Sequence, residues 1–90
     1  MEKNMKMMIV IVKDQDADDL TQALTNGNFG VTRVASTGGF LRSGVVTLLV
    51  GLEQARVQAA IDLMRAKLGP SHESPRATAF VVPVERYEQV

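Results

Sequence analysis

Between two runs rich in β-branched residues lies Ser36-Thr37-Gly38-Gly39-Phe40-Leu41-Arg42-Ser43-Gly44, which joins a glycine pair to one aromatic and one basic side chain. Glycines admit positive φ and let the backbone approach a ligand closely, and consecutive amides in such a turn form a concave anion site. Phe40 offers a flat apolar surface of the kind that commonly receives a nucleobase. The stretch therefore reads as a ligand loop for a molecule that carries both an anionic group and a flat ring. The same residues also fit a plain hairpin turn, because glycine-containing connections between strands are common.

Other residues capable of chemistry point elsewhere. Asp14, Asp16, Asp18 and Asp19 form an acidic cluster, but without the glycine and glutamate spacing of a calcium loop. They read as a capped helix start whose acids complement the helix dipole, with Asp16 as the cap. His72 is the single histidine and lies in a polar segment; a general base needs a positioned partner, and none is evident. Tyr87 reads as a packing or rim residue, and Met5, Met7, Met8 and Met64 as core residues. No catalytic set and no metal site emerges.

The chain has 90 residues, no cysteine, ten basic and ten acidic side chains and a formal net charge of zero. That length makes one domain spanning residues 1–90. A neutral chain is poorly suited to neutralising many phosphates, so a nucleic-acid polymer is not the expected partner. Disulfide, thiolate and zinc–sulfur chemistry are excluded. The longest apolar run, Met7 to Val12, is far too short to span a bilayer, and no secretion signal is recognisable. A cytoplasmic location is the expectation.

The elements that must position the loop follow from periodicity. Met7 to Val12 is apolar at every position and reads as a central strand covered on both faces. Ala17, Leu20 and Leu24 share one helical face, with Asn26-Gly27 as an αL-tolerant end. Phe29 to Ala35 and Val45 to Val50 read as strands flanking the glycine loop, with Gly51 ending the second or forming a bulge. Val57, Ala60, Ile61, Met64 and Leu68 make the stripe of a second helix that Gly69-Pro70 stops. After a short polar connection from Pro70 to Arg76, Ala77 to Val84 makes a last strand, with Pro83 near its end or at an edge. The order β-α-β-β-α-β predicts an α+β, ferredoxin-like fold, one antiparallel sheet with both helices on one face.

Two helices cover only one side of such a sheet. Val45-Val46, Leu48-Leu49-Val50 and Phe80-Val81-Val82 would leave an apolar patch on the other side, larger than a soluble monomer normally tolerates. At roughly 25 cal/mol per Å², burying a few hundred Å² per subunit contributes several kcal/mol. A homo-oligomer closed through its sheets is the expected outcome.

With this order and the loop in hand, the sequence resembles the PII-like cyclic-di-AMP receptor family, small trimeric signalling proteins of bacteria. The resemblance is carried by Met5 to Asp16, by Asn28-Phe29, Thr32 and Ser36 to Gly44, and by Ala77 to Val84. Met5 matches the family's usual start, which leaves Met1 to Asn4 as a short extension or a misassigned start. The resemblance implies a non-enzymatic sensor, a homotrimer with cyclic di-AMP in a cleft between subunits, and a downstream protein partner that it does not identify. It implies that Gly39, Phe40 and Leu41 line an adenine, with Gly38 beside them in the ligand loop, and that Asn28 and Thr32 bond base or phosphate groups. Gly51 then permits close approach, and Gln89 closes the site from the tail. Gly30 and Val45 stand where the family commonly has an arginine and an asparagine, and the connection before the last strand is short. Arg42 is the better substitute for the missing guanidinium, since Arg33, next to Thr32, should point to the opposite face of its strand. These departures leave ATP or ADP as an alternative ligand, and a ligand-free trimeric interaction module as a further alternative. Without the resemblance, Thr32 reads as a strand-forming residue and Asn28 as a turn residue.

Overall fold

The computed structural model of the chain describes residues 4–34, 44–70 and 76–90. Its elements are strand β1 (Met5–Lys13), helix α1 (Asp14–Asn26), strands β2 (Gly30–Val34) and β3 (Val45–Glu53), a 3-10 turn (Gln54–Arg56), helix α2 (Val57–Leu68) and strand β4 (Ala77–Pro83). The four strands form one antiparallel sheet in the order β2-β3-β1-β4. This is the β-α-β-β-α-β order with both helices on one face of the sheet.

Alternation along the strands divides the sheet's residues cleanly. Met8, Val10 and Val12 of β1 and Val46, Leu48, Val50 and Leu52 of β3 are buried beneath the helices, as a period of two requires. Ala17, Leu20 and Leu24 of α1 and Ala60 and Met64 of α2 close this core, with Val57, Ile61, Leu63 and Leu68 packed at its margin. The intervening strand residues point away. Cross-strand partners place Thr32, Leu49, Ile9 and Phe80 in one row, and Val34, Thr47, Ile11 and Thr78 in the next. Among the described residues no helix lies over this second face, and Phe80 remains 52% exposed.

Several local expectations are corrected. Asp16 does not cap α1: the helix starts at Asp14, Lys13 precedes it without a side-chain cap, and Asp16 is buried. Its Oδ1 accepts a hydrogen bond from Arg76 Nη2 at 2.8 Å. Gly27 has φ −85°, and the left-handed residue is Asn28, at φ 67°. An asparagine tolerates that conformation better than most side chains. The glycine at 27 serves packing, since a Cβ there would lie 2.6 Å from Cδ1 of Leu63. Gly51 neither ends β3 nor forms a bulge; it lies within the strand, paired with Met7 on one side and Gly30 on the other. The 3-10 turn and α2 follow only after Glu53.

Candidate functional site

The expected ligand residues fall into three groups. Gly38, Gly39, Phe40, Leu41 and Arg42 lie outside the described residues, as does His72. Asn28, Thr32 and Gly51 lie on or beside the edge strand β2 and its neighbour β3. Gln89 is exposed in the tail beyond β4.

The β2–β3 register gives the second group its geometry. Gly30 and Gly51 are direct cross-strand partners, and both are exposed. A Cβ added to either would meet nothing within 4 Å, so two adjacent strands together present a patch of bare backbone. Thr32 is two residues along β2 and therefore on the same face as Gly30, away from the helices. Leu49 is its partner on β3. The result is a notch with an apolar wall, a hydroxyl and accessible backbone, which suits a flat ring and neutral hydrogen bonding.

Arg33 follows the opposite rule and turns to the helix side. Its guanidinium donates to Asp18 Oδ1 at 2.5 Å and reaches Asp14 Oδ1 at 3.5 Å. Three of the four clustered aspartates are thus held by arginines, Asp14 and Asp18 by Arg33 and Asp16 by Arg76. No group of three or more metal-ligating side chains occurs among the described residues.

Asn28 is exposed in the turn between α1 and β2, and Arg56 holds that turn. Arg56 Nη2 donates to the Gly27 carbonyl at 2.9 Å and Nη1 to the Asn28 carbonyl at 3.3 Å. Its guanidinium carbon stands 4.0 Å from the centroid of the Phe29 ring. Arg56 was absent from the sequence-based site. The available signal was its position at the start of a helix, where a positive charge opposes the dipole of its own helix, while α1 has no basic residue in its last turn.

The two ends of the sheet carry different parts of the site. Asn28, the Gly30–Gly51 pair and the start of the tail share one end, where Val84 N–H donates to the Met5 carbonyl at 3.1 Å. Val34 and Gly44, the attachment points of segment 35–43, lie at the other, where Asp14 N–H donates to the Gly44 carbonyl at 2.8 Å. A five-residue strand such as β2 spans roughly 17 Å, which separates the two ends. Two open hollows on the helix side, of about 420 Å³ beside Leu68 and Ala77 and about 470 Å³ beside Phe29 and Leu63, are lined by none of Asn28, Thr32 and Gly51. The open-face notch is therefore the candidate site.

The fold of the described residues is PII-like. A structure of Arabidopsis thaliana PII bound to citrate superposes with a TM-score of 0.71 at 18% identity, over 92% of this chain and 77% of that one. A functionally unknown protein from Pediococcus pentosaceus ATCC 25745 superposes with a TM-score of 0.78 at 28% identity, over 99% of this chain and 100% of that one. A Bacillus cereus protein related to NIF3 contains the same fold within a longer chain, with a TM-score of 0.71 at 18% identity over 93% of this chain and 26% of its own. The chain belongs to the cyclic-di-AMP receptor family, whose model matches residues 5–73.

Proposed function

We propose that this protein is a PII-like signal-transduction receptor that binds cyclic di-AMP between the subunits of a cytoplasmic homotrimer and catalyses no reaction. Membership of the cyclic-di-AMP receptor family is the observation that carries the reading. The notch at Gly30 and Gly51, flanked by Thr32 and Asn28, supports it as a seat for an adenine. Gly38, Gly39, Phe40, Leu41 and Arg42 of one subunit would complete that seat, with Gln89 closing it from the tail.

The interface location has a separate support. One chain attaches its glycine loop and presents Asn28 at opposite ends of the sheet, and a neighbouring subunit packed on the open face brings one end beside the other. Ile9, Ile11, Leu49 and Phe80 supply the apolar surface for that packing. Occupancy of the cleft then favours one arrangement of the surrounding loops, and a protein partner that prefers that arrangement reads the signal.

Gly30 and Val45 leave room for a second reading, with ATP or ADP as the ligand. They stand where the family commonly has an arginine and an asparagine, so two polar contacts to cyclic di-AMP are missing at these positions. A thermal-shift panel with cyclic di-AMP, cyclic di-GMP, ATP and ADP tests both readings. A ligand present at 100 times its Kd stabilises the folded protein by about 2.7 kcal/mol. A shift with cyclic di-AMP alone is the expected result. A shift only with ATP or ADP transfers the site to the second reading, and no shift with any of the four favours a ligand-free interaction module.

A further inference from the structure

Arg56 lies at the junction between the 3-10 turn and α2, yet its guanidinium is committed to a different part of the chain, the end of α1. A cation is favourable at that end. The last carbonyls of a helix have no partners within it and carry a partial negative charge, and α1 has no basic residue in its own last turn. Arg56 meets the next two carbonyls of the chain, those of Gly27 and Asn28, with separate nitrogens, while its planar face lies over Phe29.

This three-point attachment acts where the backbone is least able to hold itself. Asn28 is the one non-glycine residue with positive φ among the described residues, a conformation that costs free energy for any side chain. The Asn28 N–H donates to Thr25 and the Phe29 N–H to Leu24, so donors of the turn are satisfied from α1. Arg56 satisfies acceptors from the other side. The left-handed turn sends the exposed Asn28 side chain outward just before Gly30, at the end of the sheet that carries the glycine notch.

We infer that Arg56 is a positioning residue for nucleotide binding: by clamping the Gly27 and Asn28 carbonyls and stacking on Phe29, it fixes the direction of the Asn28 carboxamide toward the ligand. This rests on the nucleotide-receptor reading above. Arg56 also links that turn to β3, since only Leu52 to Ala55 separate it from Gly51.

A double-mutant cycle tests the inference. The variants are Arg56→Met, which keeps the stem and removes the donors, and Asn28→Gly, which accepts positive φ without strain and removes the carboxamide. Cyclic di-AMP and ATP affinities are measured by calorimetry and melting temperatures in parallel. The expected result is a loss of roughly tenfold in affinity for Arg56→Met in the wild-type background, and little further loss in the Asn28→Gly background. The melting temperature falls in both backgrounds, so the affinity coupling separates positioning from plain stabilisation.

Additive affinity losses, or Arg56→Met binding as tightly as wild type while Asn28→Gly binds weakly, overturn the inference and leave the receptor reading standing. Undiminished binding by Asn28→Gly overturns it too, since there is then no carboxamide contact to position. A wild-type protein that binds neither nucleotide removes the reading and the inference together. Should Arg56→Met fail to fold, Arg56→Lys replaces it in the cycle. A lysine keeps the charge but cannot bridge two carbonyls from a planar fork, and the same coupling is expected at a smaller amplitude.

Discussion

Arg76 ties the entrance of β4 to the first turn of α1, donating from Nη2 to Asp16 Oδ1 at 2.8 Å across 60 residues of chain. Its Nη1 donates to the Leu68 carbonyl at the end of α2, so one side chain joins both helices to the edge strand. The pair is asymmetric: the Asp16 side chain is 10% exposed and that of Arg76 40%. Asp16 Oδ2 is buried without a hydrogen-bond partner among the described residues.

That asymmetry predicts unequal costs. Arg76→Met leaves a buried carboxylate uncompensated and should lower stability by about 2 kcal/mol, somewhat below the usual cost of breaking a fully buried pair because Arg76 is half-exposed. Asp16→Asn removes the buried charge and still offers an acceptor to Arg76, so it should cost less than about 1 kcal/mol. Urea denaturation of both variants checks the order. Equal losses would show that the charge of Asp16 does not set the cost.

Gly30 has no positive φ, and a Cβ there meets open space. Gly30→Arg should therefore fold with an unchanged melting temperature. A charge-assisted contact to phosphate is worth about 1.5 to 3 kcal/mol, so cyclic di-AMP affinity should rise roughly tenfold or more. If the variant folds normally and binds no better than the parent, the missing guanidinium does not limit this site and the pocket suits another ligand.

Leu49 stands in the middle of the open face, between Thr32 and Ile9. Placing a carboxylate there should dissociate a sheet-to-sheet assembly, because burying an unpaired charge costs several kcal/mol. Light scattering is expected to give a trimer for wild type and a smaller species for Leu49→Glu. A wild-type monomer across micromolar concentrations would remove the packing argument altogether.

Phe40→Ala should weaken nucleotide binding by about 1 to 3 kcal/mol, the usual loss when a base–aromatic stack is removed. Circular dichroism should be unchanged, since the residue belongs to the connection between β2 and β3. Equal calorimetric affinities for variant and wild type would assign Phe40 to packing.

The fold was legible in the sequence wherever burial is periodic. The stripe of Ala17, Leu20 and Leu24 and the apolar runs of β1 and β3 each name their element, because a helix or strand that buries one face must repeat its apolar residues at that element's own spacing. The placement of Arg33 on the face opposite Thr32 follows from the same alternation and is what the structure shows. The glycine loop stood out as a candidate by its residue types, whereas Thr32 and Asn28 entered only through the family resemblance, since by type alone they read as a strand-forming residue and a turn residue.

What only the tertiary structure decided are the relationships between residues distant in the chain. Asp16 looks like a helix cap in sequence because Ser, Thr, Asp and Asn commonly cap helices; its real partner, Arg76, is set by the return of β4 beside β1. The Gly30–Gly51 pair exists only through the β2–β3 register, which pairs residues from two separate runs. Arg56 reads as one more charge at a helix start until the α1–β2 turn is brought beneath it. In each case the deciding quantity is a contact made by long-range packing, and local periodicity carries no record of it.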